Sequence, residues 1–370
     1  MDPQQVFCPN PECPARGQTG RGNIGVHSRR EQRYICRVCT RTFAASTGTA
    51  YYGLRTPTTT VTLVVTLLAF GCPVQAIVVA FGLDERTVQD WQGRAGQHCE
   101  GVQAHLVQQP RDLGQVQADE LRIQLQGRIV WLAMAVQVGT RLWLGAALSP
   151  QRNQALITAL MQKVRTCTLC RSLLFCTDGL AAYVQAFQTV FREPVPTGHP
   201  GRPYLRPWDG IAIVQVVKQY SGRHVVGIER RLVHGAADQV RALIQRTQGG
   251  GDINTAYIER LNATFRARLV NLVRRGRALA RRSATVYQAA YLMGAVYNFC
   301  TDHASLRIPG ILGGHKWLPR TPAMAAGITD HRWTVHELLS YQVPLPPWLP
   351  PKRRGRKSAA VKTLVARWCT

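Results

Sequence analysis

The apolar and polar positions of the chain follow two different periods, and each period predicts a type of element. Apolar side chains alternate with polar ones in Gln115–Leu125, and the pattern continues through Ile129–Val138 and Leu142–Leu148. This period of two predicts an antiparallel meander of three strands. A short apolar strand, Ser172–Thr177, follows the meander, and a helix is expected between them over Asn153–Val164. The chain is therefore predicted to be mixed α+β.

Apolar residues at steps of three and four predict helices in the second half of the chain. The clearest stripe consists of Ile258, Leu261, Phe265, Leu269 and Leu272. Asn254 or Thr255 can cap the start of this helix, which we expect to run towards Arg282. Further helices are predicted at Leu180–Phe191, Asp238–Thr247 and Tyr287–Cys300, and further strands near Ile211–Val217 and Val225–Ile228.

Residues 57–100 predict three helices with a glycine-containing turn before the third. The expected helices are Thr58–Phe70, Pro73–Phe81 and Glu85–Gln97, with Asp84 as the N-cap of the third. This outline is typical of a helix-turn-helix, although small helical bundles share it. In the first interpretation, the residues that face the DNA major groove are Arg86, Gln89, Gln92 and Arg94.

The charge balance indicates a polyanionic partner. The chain has 370 residues, with 46 Lys and Arg against 20 Asp and Glu, a formal net charge of +26. Nucleic acid is favoured over a membrane. Residues 56–83 contain no charge, but Gly71-Cys72-Pro73 interrupts them, so we expect no membrane span. The first residues lack the pattern of a signal peptide, so we expect a cytoplasmic, nucleoid-associated protein.

A basic run near the end of the chain contains Arg353, Arg354 and Arg356. Such a run can lie in a DNA minor groove, and a solubilising tail is an equally good interpretation.

Four cysteines near the start have the spacing of a zinc ribbon. Cys8 and Cys13 form a C-x4-C pair, and Cys36 and Cys39 form a C-x2-C pair after a gap of 22 residues. Four thiolates complete one tetrahedral Zn²⁺ site. A segment this short needs the metal to fold, because its core is small.

Three carboxylates stand out in a chain with so few acids. Asp119 lies on the first strand of the meander, Asp178 follows the apolar strand, and Glu259 lies beside the helical stripe. Carboxylates are the ligands that a pair of Mg²⁺ ions ~3.5–4 Å apart needs for phosphoryl transfer. Glu120 points to the opposite face of its strand, so we expect only Asp119 of these two neighbours to reach the metal. The alternatives are that Asp178 only caps a helix and that Glu259 is an ordinary surface residue.

The residues around and after Glu259 are predicted to contact DNA. An arginine-rich helix with one acid at its head suggests phosphate contacts beside a metal ligand. The predicted contacts are Arg260, Asn262, Arg266, Arg268, Arg274 and Arg275.

The order of strands, helices and acids is the arrangement of a ribonuclease H-like fold. With the motifs Ala118-Asp119-Glu120-Leu121, Cys176-Thr177-Asp178-Gly179 and the stretch Asn254–Asn262, the chain resembles the DDE-class insertion-sequence transposases that carry a zinc ribbon and a helix-turn-helix. The resemblance covers roughly residues 1–340 and is most specific around Glu259. It implies a catalytic triad of Asp119, Asp178 and Glu259, with Mg²⁺ or Mn²⁺ as the cofactor. It also implies double-stranded DNA with terminal inverted repeats as the partner.

The expected organisation has four parts. These are a zinc ribbon (1–50), a helix-turn-helix domain (51–110), a ribonuclease H-like catalytic domain (111–305) and a C-terminal extension (306–370). The interval from Asp178 to Glu259 is longer than in the shortest family pattern, and an inserted hairpin at 203–235 would account for it. Two element ends must be brought together, so at least a homodimer is expected. The alternatives to an active transposase are an inactive DNA-binding regulator and a structure-specific nuclease.

Overall fold

The computed structural model describes most of the chain, and its fold divides into two compact units. The described residues are 2–169, 171–195, 198, 202–272, 279–310, 316–346, 348–349, 355 and 359–368. One unit comprises Met1–Gly48 with Pro344–Thr370, and the other comprises Thr49–Val343.

The first unit contains a small three-stranded antiparallel sheet. Its strands are β1 (Ile24–Ser28), β2 (Arg33–Cys36) and β3 (Thr42–Ala44), in that order. Few apolar side chains lie beneath the sheet, among them Val6, Ile24, Tyr34 and Phe43. A C-terminal helix, Ala359–Trp368, belongs to the same unit.

The second unit begins with three helices close to those predicted. They are α1 (Thr58–Ala69), α2 (Val74–Phe81) and α3 (Glu85–Leu106). Gly82 ends α2 in the left-handed conformation (φ 62°), which glycine adopts without strain. Asp84 then caps α3, and its Oδ1 accepts a hydrogen bond of 2.8 Å from the backbone N–H of Arg86. Among the described helices, none combines the length and the apolar character needed to span a bilayer.

A six-stranded mixed sheet forms the centre of this unit. Its strands are β4 (Gln115–Leu125), β5 (Arg128–Gln137), β6 (Trp143–Ser149), β7 (Leu173–Thr177), β10 (Ile211–Ser221) and β11 (His224–His234). The spatial order is β11-β10-β7-β4-β5-β6. β7 is parallel to both of its neighbours, and the other pairs are antiparallel. The predicted meander is confirmed as β4, β5 and β6.

The hairpin expected within residues 203–235 is formed by β10 and β11, which pair antiparallel. β10 also pairs with β7, so this hairpin belongs to the main sheet. A smaller hairpin outside the main sheet consists of β8 (Arg192–Val195) and β9 (Tyr204–Pro207). β11 extends the main sheet and is its open edge.

Helices cover both faces of the sheet. On one face lie α4 (Gln154–Thr166) and α5 (Ala181–Val190), which share a core with α1, α2 and α3. On the other lie α6 (Ala237–Gln248), α7 (Ala256–Arg268) and α8 (Ser283–Ala295). Even-numbered residues of β4, such as Ala118, face the first core, and odd-numbered ones, such as Leu121, face the second.

Two predicted helix ends are wrong. α3 continues nine residues past Gln97 (106 − 97), because its second half packs against α8. At Gly96 the helices approach so closely that a Cβ atom would overlap the carbonyl oxygen of Gln288. α7 ends at Arg268 rather than near Arg282: Leu269 has an extended backbone, and Val270–Leu272 form one 3-10 turn. Leu269 and Leu272 stay buried, so the apolar stripe is satisfied without a longer helix.

The remaining elements are short. The predicted helix Tyr287–Cys300 begins four residues earlier than expected, at Ser283. It ends at Cys300, and its last part, Val296–Cys300, is π-helical. The others are the 3-10 turn Ala304–Leu306, the paired strands Ile308–Pro309 and Trp317–Leu318, and the helices Pro322–Ala325 and Val335–Ser340.

Candidate metal and nucleic-acid site

The central sheet has an opening where β7 ends early. β4 pairs with β7 through Gln117 and Cys176, and β10 pairs with it through Gln215 and Thr177. β7 stops at Thr177, whereas both neighbours continue for several residues. If the pairing continued, Asp178 would lie level with Asp119, two residues further along each strand. The shortness of β7 therefore leaves room for side chains between β4 and β10.

All three predicted acids line one cavity at this opening. Its volume is about 500 Å³, and Asp119, Asp178 and Glu259 contribute to its wall. A tighter group within it consists of Asp119, Glu120 and Asp178, whose carboxylates each offer an oxygen within 4.8 Å of the others. Glu259 lines the same cavity from α7 but does not belong to this tighter group.

The expectation that Glu120 is out of reach is wrong. Strand alternation does place Glu120 on the face covered by α4 and α5, where Tyr183 is its neighbour. However, β7 does not continue beside it, so its carboxylate approaches Asp178 through the opening in the sheet. Strand periodicity alone could not reveal this, because the length of the neighbouring strand decides it.

Two cations balance the acids. Arg152 lies between two carboxylates, with Nη2 at 2.7 Å from Glu120 Oε2 and 3.0 Å from Asp178 Oδ2. Lys218 Nζ donates to Glu259 Oε1 at 2.7 Å. Neither residue was predicted from the sequence. A signal existed for Lys218, which ends an apolar strand pattern and is the only lysine between Lys163 and Lys316. Nothing in the sequence marks Arg152.

The carboxylates of the cavity have shifted pKa values. Burial raises the pKa of Asp119, and the negative charges of Asp178 and Glu259 add to the rise. Burial also raises the pKa of Glu120, although a hydrogen bond from Tyr183 and the charge of Arg152 oppose the shift. Glu259 is different: partial burial disfavours its charge, but hydrogen bonds from Lys218 and Thr255 outweigh burial and lower its pKa. Binding a cation would relieve the crowding of charge around Asp119.

Two buried amides hold the acids in place. Asn262 is 2% exposed, and its Nδ2 donates to Asp119 Oδ2 at 2.7 Å. Gln117 is fully buried, and its Oε1 accepts hydrogen bonds from the backbone N–H groups of Tyr257 and Ile258 at 3.0 Å each. Gln117 thus caps the start of α7 and fixes Glu259 relative to β4. The prediction that Asn262 contacts DNA is wrong, because its side chain is buried.

The acidic group fits a hard divalent cation. Mg²⁺ takes oxygen ligands at about 2.0–2.1 Å, so two ligand oxygens lie up to ~4.2 Å apart. The three carboxylates are close to this spacing. Asp119, Glu120 and Asp178 are therefore the residues that could hold the ion, with Glu259 across the cavity.

The four predicted cysteines of the first unit form a second group. Their sulfur atoms all lie within 4.8 Å of one another, with Cys8 and Cys39 at 3.6 Å and Cys13 and Cys36 at 3.8 Å. Tetrahedral Zn²⁺ with Zn–S bonds of ~2.3 Å requires sulfur atoms ~3.8 Å apart. The cluster could therefore hold one zinc ion.

No protein-family model matches this chain, and no curated protein matches it either. The residues and their geometry are therefore the basis for any functional argument.

The predicted DNA contacts on α3 are only partly available. Arg86 and Gln89 are exposed, and Gln89 donates to Glu85. Gln92 is half-buried. Arg94 is exposed but donates to the carbonyl of Tyr52 at 2.8 Å.

The predicted contacts on and after α7 are divided in the same way. Arg260 is exposed, and Arg266 is half-buried. Arg268 is half-buried, with its guanidinium 4.5 Å from the centre of the Phe70 ring. The remaining predicted contacts lie outside the described residues: Arg274, Arg275, Arg353, Arg354 and Arg356.

Proposed function

We propose that this protein is a DDE-class DNA transposase with a ribonuclease H-like catalytic domain. It would bind the terminal inverted repeats of its element and catalyse metal-dependent DNA cleavage and strand transfer. The observation that carries the proposal is the shared cavity of Asp119, Asp178 and Glu259, three acids spread over 141 positions (259 − 119 + 1) of an acid-poor chain.

The strand order supports the same proposal. Counted along the chain, the first strand of the sheet carries Asp119, and the fourth, β7, runs parallel beside it and leads into Asp178. Glu259 comes from a later helix that is fastened to the first strand by Gln117. A ribonuclease H-like domain places its acids on these three elements.

Bound Mg²⁺ would supply Lewis-acid stabilisation of the attacking and leaving oxygens of a phosphodiester. The chain's own residues provide the ligands and their orientation. Asn262 fixes one oxygen of Asp119, and the backbone N–H of Glu120 donates to the other at 2.8 Å. Arg152 and Lys218 form ion pairs with the other acids of the cavity. With an ion bound to the carboxylates, the charges of Arg152 and Lys218 would be available to DNA phosphates beside the cavity.

The same two cations favour a second candidate function. A site whose acids are already neutralised by Arg152 and Lys218 is also what an inactive, DNA-binding relative would have. In that case the chain would recognise and regulate a DNA site without cutting it. The net charge of +26 suits both functions, so metal-dependent chemistry is what separates them.

The first prediction tests the acids directly. Asp119→Asn and Glu259→Gln should each lower Mg²⁺-dependent cleavage and joining of element-end DNA by at least a hundredfold, because each removes a negative charge from the cavity. Binding to the same DNA should stay within about threefold. Gel assays of nicked and joined products, alongside fluorescence anisotropy, would measure both quantities.

A matched control is Asp209→Asn, which removes an exposed acid from the turn before β10, outside the cavity. It should leave cleavage near the wild-type rate. If the wild-type protein binds the ends but never nicks them with Mg²⁺ or Mn²⁺, the regulator is the better description. Cleavage without joining would instead identify a nuclease.

A further inference from the structure

α7 separates two cavities of opposite character. Glu259 faces the acidic cavity, whereas Arg260, next in the chain and ~100° further round the helix, faces a smaller one of about 110 Å³. The turn between β5 and β6 brings Arg141 to this pocket, and the segment after α8 brings His303 and Ser305. Three separate parts of the chain therefore build it.

The pocket is strongly basic. None of the residues that line it is a carboxylate, and neither arginine has a carboxylate partner among the described residues. Burial lowers the pKa of Arg141, Tyr257 and Tyr297 oppose the shift, and repulsion from Arg260 adds to it. The two guanidinium groups therefore lie close enough to repel each other. Two arginines held near each other without an acid are costly unless an anion joins them.

The position of Arg141 is fixed by its neighbours, and one of its N–H groups is left without a partner. Its guanidinium stacks on the ring of Tyr257, 4.0 Å from the ring centre, and its Nη1 is buried with no hydrogen-bond partner. Its backbone is left-handed (φ 60°), a conformation that residues other than glycine rarely adopt. The hydroxyl of Tyr297 donates to its carbonyl at 3.2 Å and holds the turn. A buried N–H without an acceptor requires an explanation, and a bound anion supplies one.

The other polar groups of the pocket add hydrogen-bonding capacity but no negative charge. His303 Nδ1 lies 2.9 Å from Ser305 Oγ. Burial lowers the pKa of His303 to about 4, and the positive charges of Arg141 and Arg260 contribute. At neutral pH the imidazole is therefore uncharged, and the two arginines provide the attraction for an anion.

We propose that this pocket binds a phosphate group of the DNA backbone, a few nucleotides away from the phosphate at the acidic cavity. An α-helix is ~10 Å across, and successive phosphates of one strand rise ~3.4 Å along the duplex axis. One strand passing over α7 would therefore place phosphates on both sides of it. The inference rests on the proposed function for its geometry, but the pocket can be tested without catalysis.

The experiment measures DNA binding without divalent metal. Arg260→Gln should weaken binding to any duplex roughly tenfold and reduce the slope of log K against log salt by about one, because one phosphate contact is lost. Arg260→Lys keeps the charge and should preserve the slope. Arg128→Gln removes an exposed charge at the start of β5 and should stay near wild type. If Arg260→Gln behaves like Arg128→Gln, the proposal is wrong.

A second variant separates a shared ligand from a general loss of charge. Arg141→Gln should weaken binding to a similar extent, and the double variant should be less than additive, because both arginines hold one phosphate. Additive losses would contradict the pocket. Circular dichroism and thermal melting would confirm that each variant is folded.

Two further outcomes identify the source of the phosphate. If Arg260→Gln weakens only inorganic phosphate binding, measured by calorimetry, and leaves DNA binding unchanged, the DNA assignment is overturned. If the wild type never cleaves DNA but Arg260→Gln still loses one unit of salt slope, the pocket stands and the catalytic proposal fails.

Discussion

At the scale of single residues, the acidic cavity is controlled by its counter-charges. Glu259 and Lys218 form an ion pair of 2.7 Å, with 47% and 35% of their side chains exposed. Pairs this exposed contribute little, on the order of 0.2–1 kcal/mol. The hydrogen bond that Lys218 donates nevertheless helps to keep the pKa of Glu259 below its usual value. The carboxylate therefore stays charged and able to bind a cation.

Lys218 should therefore compete with metal. Lys218→Met removes the competitor, so Mn²⁺ should bind roughly two- to fivefold more tightly, in line with a pair worth up to about 1 kcal/mol. Calorimetric titration of the DNA-free protein would measure this change. Arg223→Met removes a charge from the exposed turn of the same hairpin and serves as the control. Weaker metal binding by Lys218→Met would show that the ammonium is a partner of the site and not a competitor.

At the scale of elements, the sequence predicted most of the framework. Polar and apolar residues alternate along part of β4, and β5 and β6 are apolar runs of strand length because helices cover both of their faces. The stripe of α7 is readable because one side of the helix is buried. Three residues of the site could not be predicted from the sequence. Glu120, Arg152 and Lys218 join it through the short β7 and through contacts between elements distant in sequence, which no local periodicity encodes.

Gln117 joins β4 to the start of α7, and we expect its loss to lower the stability of the fold. Gln117→Met would leave the N–H groups of Tyr257 and Ile258 and the carbonyl of Asn254 without their buried partner. The free energy of unfolding should fall by about 2–4 kcal/mol. Gln124→Met, on an exposed position of the same strand, should change it by less than about 0.5 kcal/mol. Urea denaturation would compare them, and equal effects would contradict a capping role for Gln117.

At the scale of the whole molecule, the two units should differ in their need for metal. The first has a small core under three short strands, whereas the second has several extensive cores. Zinc binding supplies about 10–16 kcal/mol in zinc-finger peptides, more than so few apolar contacts provide. The stability of the first unit should therefore depend on the four cysteines.

A chelator such as 1,10-phenanthroline, or the variant Cys36→Ser, should make residues 2–48 sensitive to protease while Thr49–Val343 stays resistant. Limited proteolysis with mass spectrometry would locate the cuts. Cys72→Ser changes a thiol outside the cluster and should preserve protection of both units. Protection that survives the chelator and Cys36→Ser would mean that the core of the first unit is sufficient without a metal.

The five-residue length of β7 has a consequence for how this chain can vary. One extra residue between Ser172 and Asp178 would carry the carboxylate ~3.3 Å onward and turn it to the other side of the sheet. A one-residue insertion that a loop would tolerate should therefore disrupt the site when it falls in β7. The length of this strand is as important for the site as the carboxylate of Asp178.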